Sequence, residues 1–470
     1  MTMNKLLFQL IILLIFSQGS SALAQNIMWQ HRYSWVDTDA LTDAVSLEDG
    51  TVLAAGSAGF SPGIALLRLT EDGDTIYMRG LPLTRGAYYT IRICRLKNGM
   101  VFVAVLSPAR GGLLGRISPD DGTLIWSLSI PGVGPLSYAP TIYDLSEGPN
   151  NTILVAASTA DPLGQASNIG YLGCFDTLGI PKWVKEIREH PTNTFCNHVE
   201  QTPEGNVFVS GMAGSRIWGA ELTADSGREI RRATFYQSSN LIYFDNQNAW
   251  AFQAPGQRYL VSGMIRSTTP SYYLGLHQGW AGPKIWGGEK QQGNTRKPVV
   301  NSDGSIVYVN EWSTASRMIR LRADSTIRWS IPKPRPTGSN GTAFYAYASL
   351  EDSSAIGVGI IAYPDSTDWD WYAARITNMG IPYDPSPVVS VVKSLEVRPY
   401  VYPTPCAGSL GFSGLRSPAK LELVDMQGRT VLITDVAPEQ MADVSALVPG
   451  LYQYRVSCAG RVYSGRVMKE

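Results

Sequence analysis

The sequence predicts an all-β fold built from repeats, on three observations. Its apolar runs are short, rich in Val, Ile, Ala and Gly, and closed by Gly, Pro or Asn-Gly turns. No stretch of a dozen residues carries a clean apolar period of 3.6, so amphipathic helices are not indicated. At 470 residues the chain is also long for one sandwich, and it shows internal similarity at a fixed period.

The repeat justifies each element in turn. One unit runs from Asp43 to Leu81 and the next from Thr90 to Ile130. Each reads as a short strand, a polar turn with Gly, an apolar strand, a variable loop, a second apolar strand, an Asp/Gly turn and a strand carrying an aromatic. The first turn recurs at Gly50, Gly99, Asn150, Gly205, Gly256, Gly304 and Ser353, about every fifty residues. Seven units of four strands match a seven-bladed β-propeller spanning residues 25–383. The seventh unit stops at Met379-Gly380-Ile381-Pro382 without a fourth strand, while a segment of that type, Asn26 to Tyr33, stands alone near the N-terminus. The N-terminal strand is therefore expected to complete the last blade and close the ring, leaving no open edge between first and last units.

Trp126, Trp183, Trp286 and Trp329 occupy one equivalent place on the fourth strand, which predicts packing between neighbouring sheets. Asp49, Asp72, Asp120, Asp121 and Asp303 sit beside turn glycines and read first as turn formers. The pattern from Asp120 to Trp126 resembles the repeats of quinoprotein-like and WD-like propellers. The resemblance is to the blade and implies no cofactor site.

Both ends of the chain read as export signals. Lys5, an apolar run from Leu6 to Phe16 and the sequence Ala22-Leu23-Ala24 read as a signal peptide over residues 1–24. Residues 395–470 carry ordered landmarks: Pro403 and Pro405, an Asp-x-x-Gly turn ending at Gly428, then Leu447, Gly450 and Tyr452, and a basic last strand to Lys469. In that order they resemble the type A C-terminal sorting domain of the type IX (Por) secretion system of Bacteroidetes, with Thr404 where Asn is usual. The resemblance implies a small immunoglobulin-like β-sandwich and handling by a type IX translocon and a sortase that cuts near the preceding linker. It also implies release or display at the cell surface, with Lys469 in the recognised strand. Gly450 is expected to shape the turn presenting the last strands. Residues 384–394, with Pro385 and Pro387, read as an extended, exposed linker.

Lys plus Arg and Asp plus Glu are balanced at 39 each, so no basic footprint for nucleic acid exists, and no later apolar run is long enough to span a membrane. The four histidines, His31, His190, His198 and His277, fit no catalytic or metal motif; His190 and His198 read as flanking a loop. Asp365, Asp368 and Asp370 form an oxygen-rich loop that could hold Ca²⁺, although solvated loop is the default. Trp369 and Trp371 share a strand face where they could stack on a sugar or pack the blade edge. Of five cysteines, Cys94, Cys174, Cys196, Cys406 and Cys458, an export setting permits pairing of Cys174 with Cys196 or Cys406 with Cys458. The leading expectation is a secreted or surface, non-catalytic propeller that binds a glycan, another ligand or a protein through the loops between second and third strands, including 59–62, 161–168 and 363–371. The alternatives are a hydrolase or lyase using the propeller funnel, and a structural or adhesion component.

Overall fold

The computed structural model describes residues 27–469 except 34–38, 59–62, 82–89, 108–110, 133–139, 162, 164–165, 167, 192, 238–242, 255–256, 267–270, 281, 292–293, 296–297, 302, 304, 312–316, 323–325, 333–340, 363–368, 377–388, 392–399, 403–407, 414–417, 438–439 and 459–460. The described residues form strands and turns and no helix. They fall into two compact units, residues 1–78 with 85–392 and residues 79–84 with 393–470.

In the first unit the strands assemble in chain order, four at a time. After β1 (Ile27–Tyr33), the first sheet is β2 (Asp39–Ser46), β3 (Val52–Ala58), β4 (Ile64–Leu69) and β5 (Thr75–Leu81). The second is β6 (Ile91–Arg95), β7 (Val101–Ser107), β8 (Gly111–Ile117) and β9 (Leu124–Ser129). The third is β10 (Thr141–Gly148), β11 (Thr152–Ala160), β12 (Asn168–Phe175) and β13 (Pro181–Ile187). The fourth is β14 (Thr194–Gln201), β15 (Val207–Ala213), β16 (Arg216–Leu222) and β17 (Glu229–Gln237). The fifth is β18 (Tyr243–Ala254), β19 (Arg258–Arg266), β20 (Ser271–Gln278) and β21 (Lys284–Gln291). In the sixth, β22 (Asn294–Thr295) and β23 (Val299–Val300) share the first position, followed by β24 (Ile306–Glu311), β25 (Arg317–Leu321) and β26 (Ile327–Pro332). The last contains β27 (Gly341–Ser349), β28 (Ala355–Ala362) and β29 (Trp369–Ile376), then β1 and β30 (Val389–Val391).

Turn chemistry sets this register. Gly50, Gly99, Asn150, Gly205 and Ser353 all have positive φ, which closes the first hairpin of each sheet at the expected place. In the fifth sheet Gln257 has positive φ, while Gly256 lies outside the described residues, as does Gly304 in the sixth. Alternate apolar residues of adjacent sheets then interleave. The core between the last and first sheets contains Tyr33, Leu41, Val52, Leu67, Ile356, Val358 and Trp371. Comparable cores join sheets two with three, three with four, four with five, five with six, and six with seven. First strands of successive sheets lie against one another, β2 by β6, β6 by β10, β10 by β14 and β14 by β18, with β23 by β27 and β27 by β2. That is the arrangement of a β-propeller.

The donated strand is in place. β1 pairs antiparallel with β29 from Ile27↔Ile376 to Tyr33↔Trp371. Trp29 Nε1 donates to Glu71 O at 2.7 Å and Tyr33 Oη to Gly73 O at 2.7 Å, so the last sheet is bonded to the first. Fourth-strand aromatics repeat this contact: Tyr77 Oη donates to Pro119 O (2.9 Å) and Trp183 Nε1 to Ala224 O (3.0 Å). The turn beneath must be glycine, because a Cβ on Gly179 would lie 2.9 Å from Trp126 Cη2 and one on Gly227 2.9 Å from Trp183 Cε3. Between sheets four and five the partners are exchanged. Arg231 replaces the strand aromatic and lies 4.4 Å over the ring of Trp280, which has moved into the turn. The side chains of Trp286 and Trp329 lie outside the described residues.

Several turn aspartates do more than form turns. Asp49 and Thr51 hold Arg68, whose Nη1 reaches Pro119 O in the next sheet at 3.0 Å. Asp303 and Ser305 hold Arg320, which reaches Ser353 O at 2.6 Å. Asp352 and Ser354 hold Arg375, which reaches Glu71 O at 3.2 Å across the closure. All three guanidinium side chains are largely buried, and each is neutralised and hydrogen-bonded as a buried charge requires.

The second unit has two sheets around one core. β31 (Tyr400–Tyr402), β32 (Ser409–Ser413) and β35 (Ala442–Asp443) form one; β34 (Thr430–Val436), β33 (Ala419–Val424), β36 (Gly450–Cys458) and β37 (Arg461–Lys469) form the other in that order. Leu410, Ala442 and Val444 face Leu421, Leu423, Tyr452, Val456 and Val467 between them.

Candidate functional sites

Antiparallel pairing places every first-to-second and third-to-fourth strand turn at one end of the ring. The second-to-third and sheet-to-sheet connections lie at the other. At this loop end the residues of 59–62 and 363–368, including Asp365 and Asp368, lie outside the described residues. Asp370 is buried and ion-paired with Arg32 of β1, so its carboxylate closes the ring rather than presenting a metal ligand. No group of three or more His, Cys, Asp and Glu among the described residues is placed to hold a metal ion. Trp369 is 45% exposed, whereas Trp371 is fully buried and donates from Nε1 to Ser57 O at 3.1 Å. The pair does not form a shared stacking face: Trp371 packs the closure, and Trp369 alone is available to a ligand.

The loop starting at Asp161 is braced from below. The Asp161 carboxylate accepts the Leu163 N–H (3.0 Å), the Ala166 N–H (2.8 Å) and Arg188 Nη2 (2.9 Å). Arg188, with those two N–H groups, holds its carboxyl well below the usual carboxylate range against the opposing effect of burial. Leu163 is left 61% exposed near the start of this braced loop.

Around the ring axis, first-strand polar groups bond across successive sheets. Asp43 accepts the Ile93 N–H (3.1 Å), and Arg92 Nε donates to Tyr143 O (2.6 Å). Asp144 accepts the Val199 N–H (3.1 Å), and Glu200 accepts the Gln253 N–H (2.7 Å). His198 sits at the centre of this set, inside β14 rather than beside a loop as its sequence position suggested. Its Nδ1 is 2.6 Å from Asp144 Oδ2, its Nε2 is 3.5 Å from Glu200 Oε1, and its ring lies 4.1 Å from that of Phe252. One imidazole thus ties three sheets together. Asp144 is 0% and His198 4% exposed, so the pair has no face for a substrate.

Burial pushes the His198 pKa down, but Glu200 and Asp144 outweigh it and hold it above the usual value. A raised folded-state pKa contributes stability that is complete below the unfolded value of about 6.5 and is lost as pH rises through the folded value. His198→Gln is therefore expected to flatten the fall in melting temperature on the alkaline side of pH 6.5. Thermal melts of both proteins at a series of pH values measure this.

The other histidines are structural. His31 lies between Trp29 and Tyr33, His277 bonds Tyr273 Oη at 2.8 Å, and His190 packs over Gly214. Cys174 and Cys196 are buried and carry free thiols, so the bridge considered between them is not formed; Cys406 lies outside the described residues.

In the second unit Asp425 caps its turn, accepting the Gln427 and Arg429 N–H groups at 2.9 Å each, while Gly428 takes φ +81°. Leu447 packs on the core, and Tyr452 is buried with its hydroxyl donating to Val448 O at 2.7 Å. Gly450 pairs with Lys469, the last residue of β37, which is 7% exposed. A Cβ on Gly450 would meet nothing nearer than the Tyr452 ring at 3.9 Å, so this glycine opens a strand without a steric demand for its turn. Pro403 and Pro405 lie outside the described residues. Residues 400–470 match the family described as the secretion system C-terminal sorting domain. This segment is a type IX sorting domain. It directs the chain to the cell surface or the medium, and no helix among the described residues is long and apolar enough to cross a membrane.

No curated protein matches the chain. Among solved structures it is similar to a protein of unknown function from Dyadobacter fermentans, at 13% identity over 75% of this chain and 98% of that one, TM-score 0.43. It is also similar to the Dos1 propeller, at 9% identity over 78% and 100%, TM-score 0.46. An α-L-arabinofuranosidase from Fusarium graminearum aligns at 13% identity over 74% and 98%, TM-score 0.39. Likenesses this low assign no activity, and the ring described above rests on strand pairing and on the packing of each sheet against the next.

Proposed function

We propose that the chain is a non-catalytic, seven-bladed β-propeller closed by its N-terminal strand, exported by its immunoglobulin-like sorting domain to bind a glycan or protein at the loop end. The observation that carries this reading is the contrast between the two parts of the ring. At the axis the Asp144–His198 pair is buried, and the half-buried Asp43, Arg92 and Glu200 are spent on backbone groups of the next sheet, whereas the loop end presents Trp369 and Leu163 beside the hydrogen-bonded Asp161. An exposed Trp suits a sugar face, and an exposed Leu whose backbone is held by the Asp161 carboxylate suits a protein surface. The funnel enzyme is the second reading, favoured only by the meeting of His198 with Asp144 and Glu200.

Screening the mature chain on a glycan array, with hydrolysis of the same sugars measured in parallel, separates these readings. Trp369→Ala is expected to weaken glycan binding by about tenfold or more, as loss of one stacking aromatic does. Asp161→Asn is expected to weaken binding to any partner using the braced loop. Turnover that disappears with Asp144→Asn, in a protein that remains folded, contradicts the non-catalytic reading.

A further inference from the structure

The stretch expected to be an exposed linker contains a strand. Val389–Val391 pairs parallel with β1, placing Val389 opposite His31, Ser390 opposite Arg32 and Val391 opposite Tyr33. The first unit accordingly runs to Val392, beyond the boundary expected at residue 383. The other outer strands, β5, β9, β13, β17, β21 and β26, each end their sheet with no further strand among the described residues. Among the described outer strands, only the closing one has a second neighbour.

β1 is also the outer strand that needs one. Every other outer strand follows its neighbour through a tight turn, so its pairing is local and the loop to be closed is short. β1 meets β29 across more than three hundred residues of chain, and its pairing is the least local in the ring. Its side-chain ties Trp29 to Glu71, Gln30 to Tyr372, Arg32 to Asp370 and Tyr33 to Gly73 run inward or to the first sheet, and its outer backbone edge pairs with β30. Pairing on both edges turns an edge strand into a central one, whose N–H and C=O groups are shielded on both sides.

We propose that Val389–Val391 is a latch, a strand contributed by the segment before the sorting domain that holds the ring-closing strand in place. Processing that leaves these three residues on the propeller keeps the latch; a cut before Val389 removes it. The inference stands apart from what the loop end binds, because it concerns backbone pairing along the outer edge of the last sheet.

Amide hydrogen exchange on the full chain tests it. Two variants are compared with the wild type, Ser390→Pro and the double change Val389→Pro with Val391→Pro. Alternate residues of a strand face a given neighbour, so one variant or the other removes the N–H groups given to β1 whichever way β30 faces. In at least one variant, exchange over Gln30–Tyr33 is expected to accelerate about tenfold, the loss of one or two strand hydrogen bonds. Exchange in the second to fifth sheets should not change. Unchanged exchange over Gln30–Tyr33 in both variants overturns the proposal, and so does acceleration throughout the ring.

Discussion

A mature chain lacking residues 25–34 is expected to melt far below the full propeller and to self-associate. β1 contributes Tyr33, 1% exposed, to the core between the last and first sheets. Removing it uncovers the buried face of Trp371 and strips Asp370 of its Arg32 partner. Tyr33→Ala alone should cost about 3–5 kcal/mol, the range for deleting a buried aromatic from a core. Tyr33→Phe should cost about 1 kcal/mol, since it loses only the 2.7 Å hydrogen bond to Gly73 O. The stranded carboxylate of Asp370 adds a further penalty in the deletion, because an unpaired buried charge is worse than the pair. Thermal melts with light scattering measure both effects. A deletion that melts with the wild type and stays monomeric contradicts the closure by a donated strand.

Much of the ring was legible because turns and seams leave residue-specific marks. A left-handed turn favours Gly or Asn, and each of the five expected positions that lies among the described residues has positive φ. The fourth-strand aromatic marks the seam, which is why a fragment carrying Trp29 could be matched to a sheet more than three hundred residues away. Where the mark was exchanged, the sequence was silent: Arg231 and Trp280 carry the same contact in reverse, and neither position alone looks like half of a pair. The latch was hidden for a different reason. Three residues between prolines have no periodicity to read, and parallel pairing with a strand at the other end of the chain is a tertiary choice.

The candidate sites divided along the same line. Trp369 and Trp371 share a strand face, but only the depth of the closure makes one exposed and the other buried. Asp370 sits in an acidic run that suggests cation binding until Arg32 arrives from the N-terminus. His198 matched no motif because its partners, Asp144 and Glu200, are brought to it by sheet register rather than by spacing. A signal existed in hindsight: the polar Asn197 and His198 stand together between the apolar Phe195-Cys196 and Val199 in the first strand of the fourth sheet. Buried polar groups of that kind demand partners. The sorting domain was legible because its landmarks are local turns and alternating strands, Asp425 to Gly428 and Tyr452 to Val456.

Export is the claim on which the rest depends, and fractionation tests it directly. The full chain and a chain ending at Val392, which retains β30 but lacks the sorting domain, are expressed in a type IX-competent host. The full chain is expected at the cell surface or in the medium, and the shortened chain, folded, in the periplasm. Equal surface display of the two chains would contradict the account.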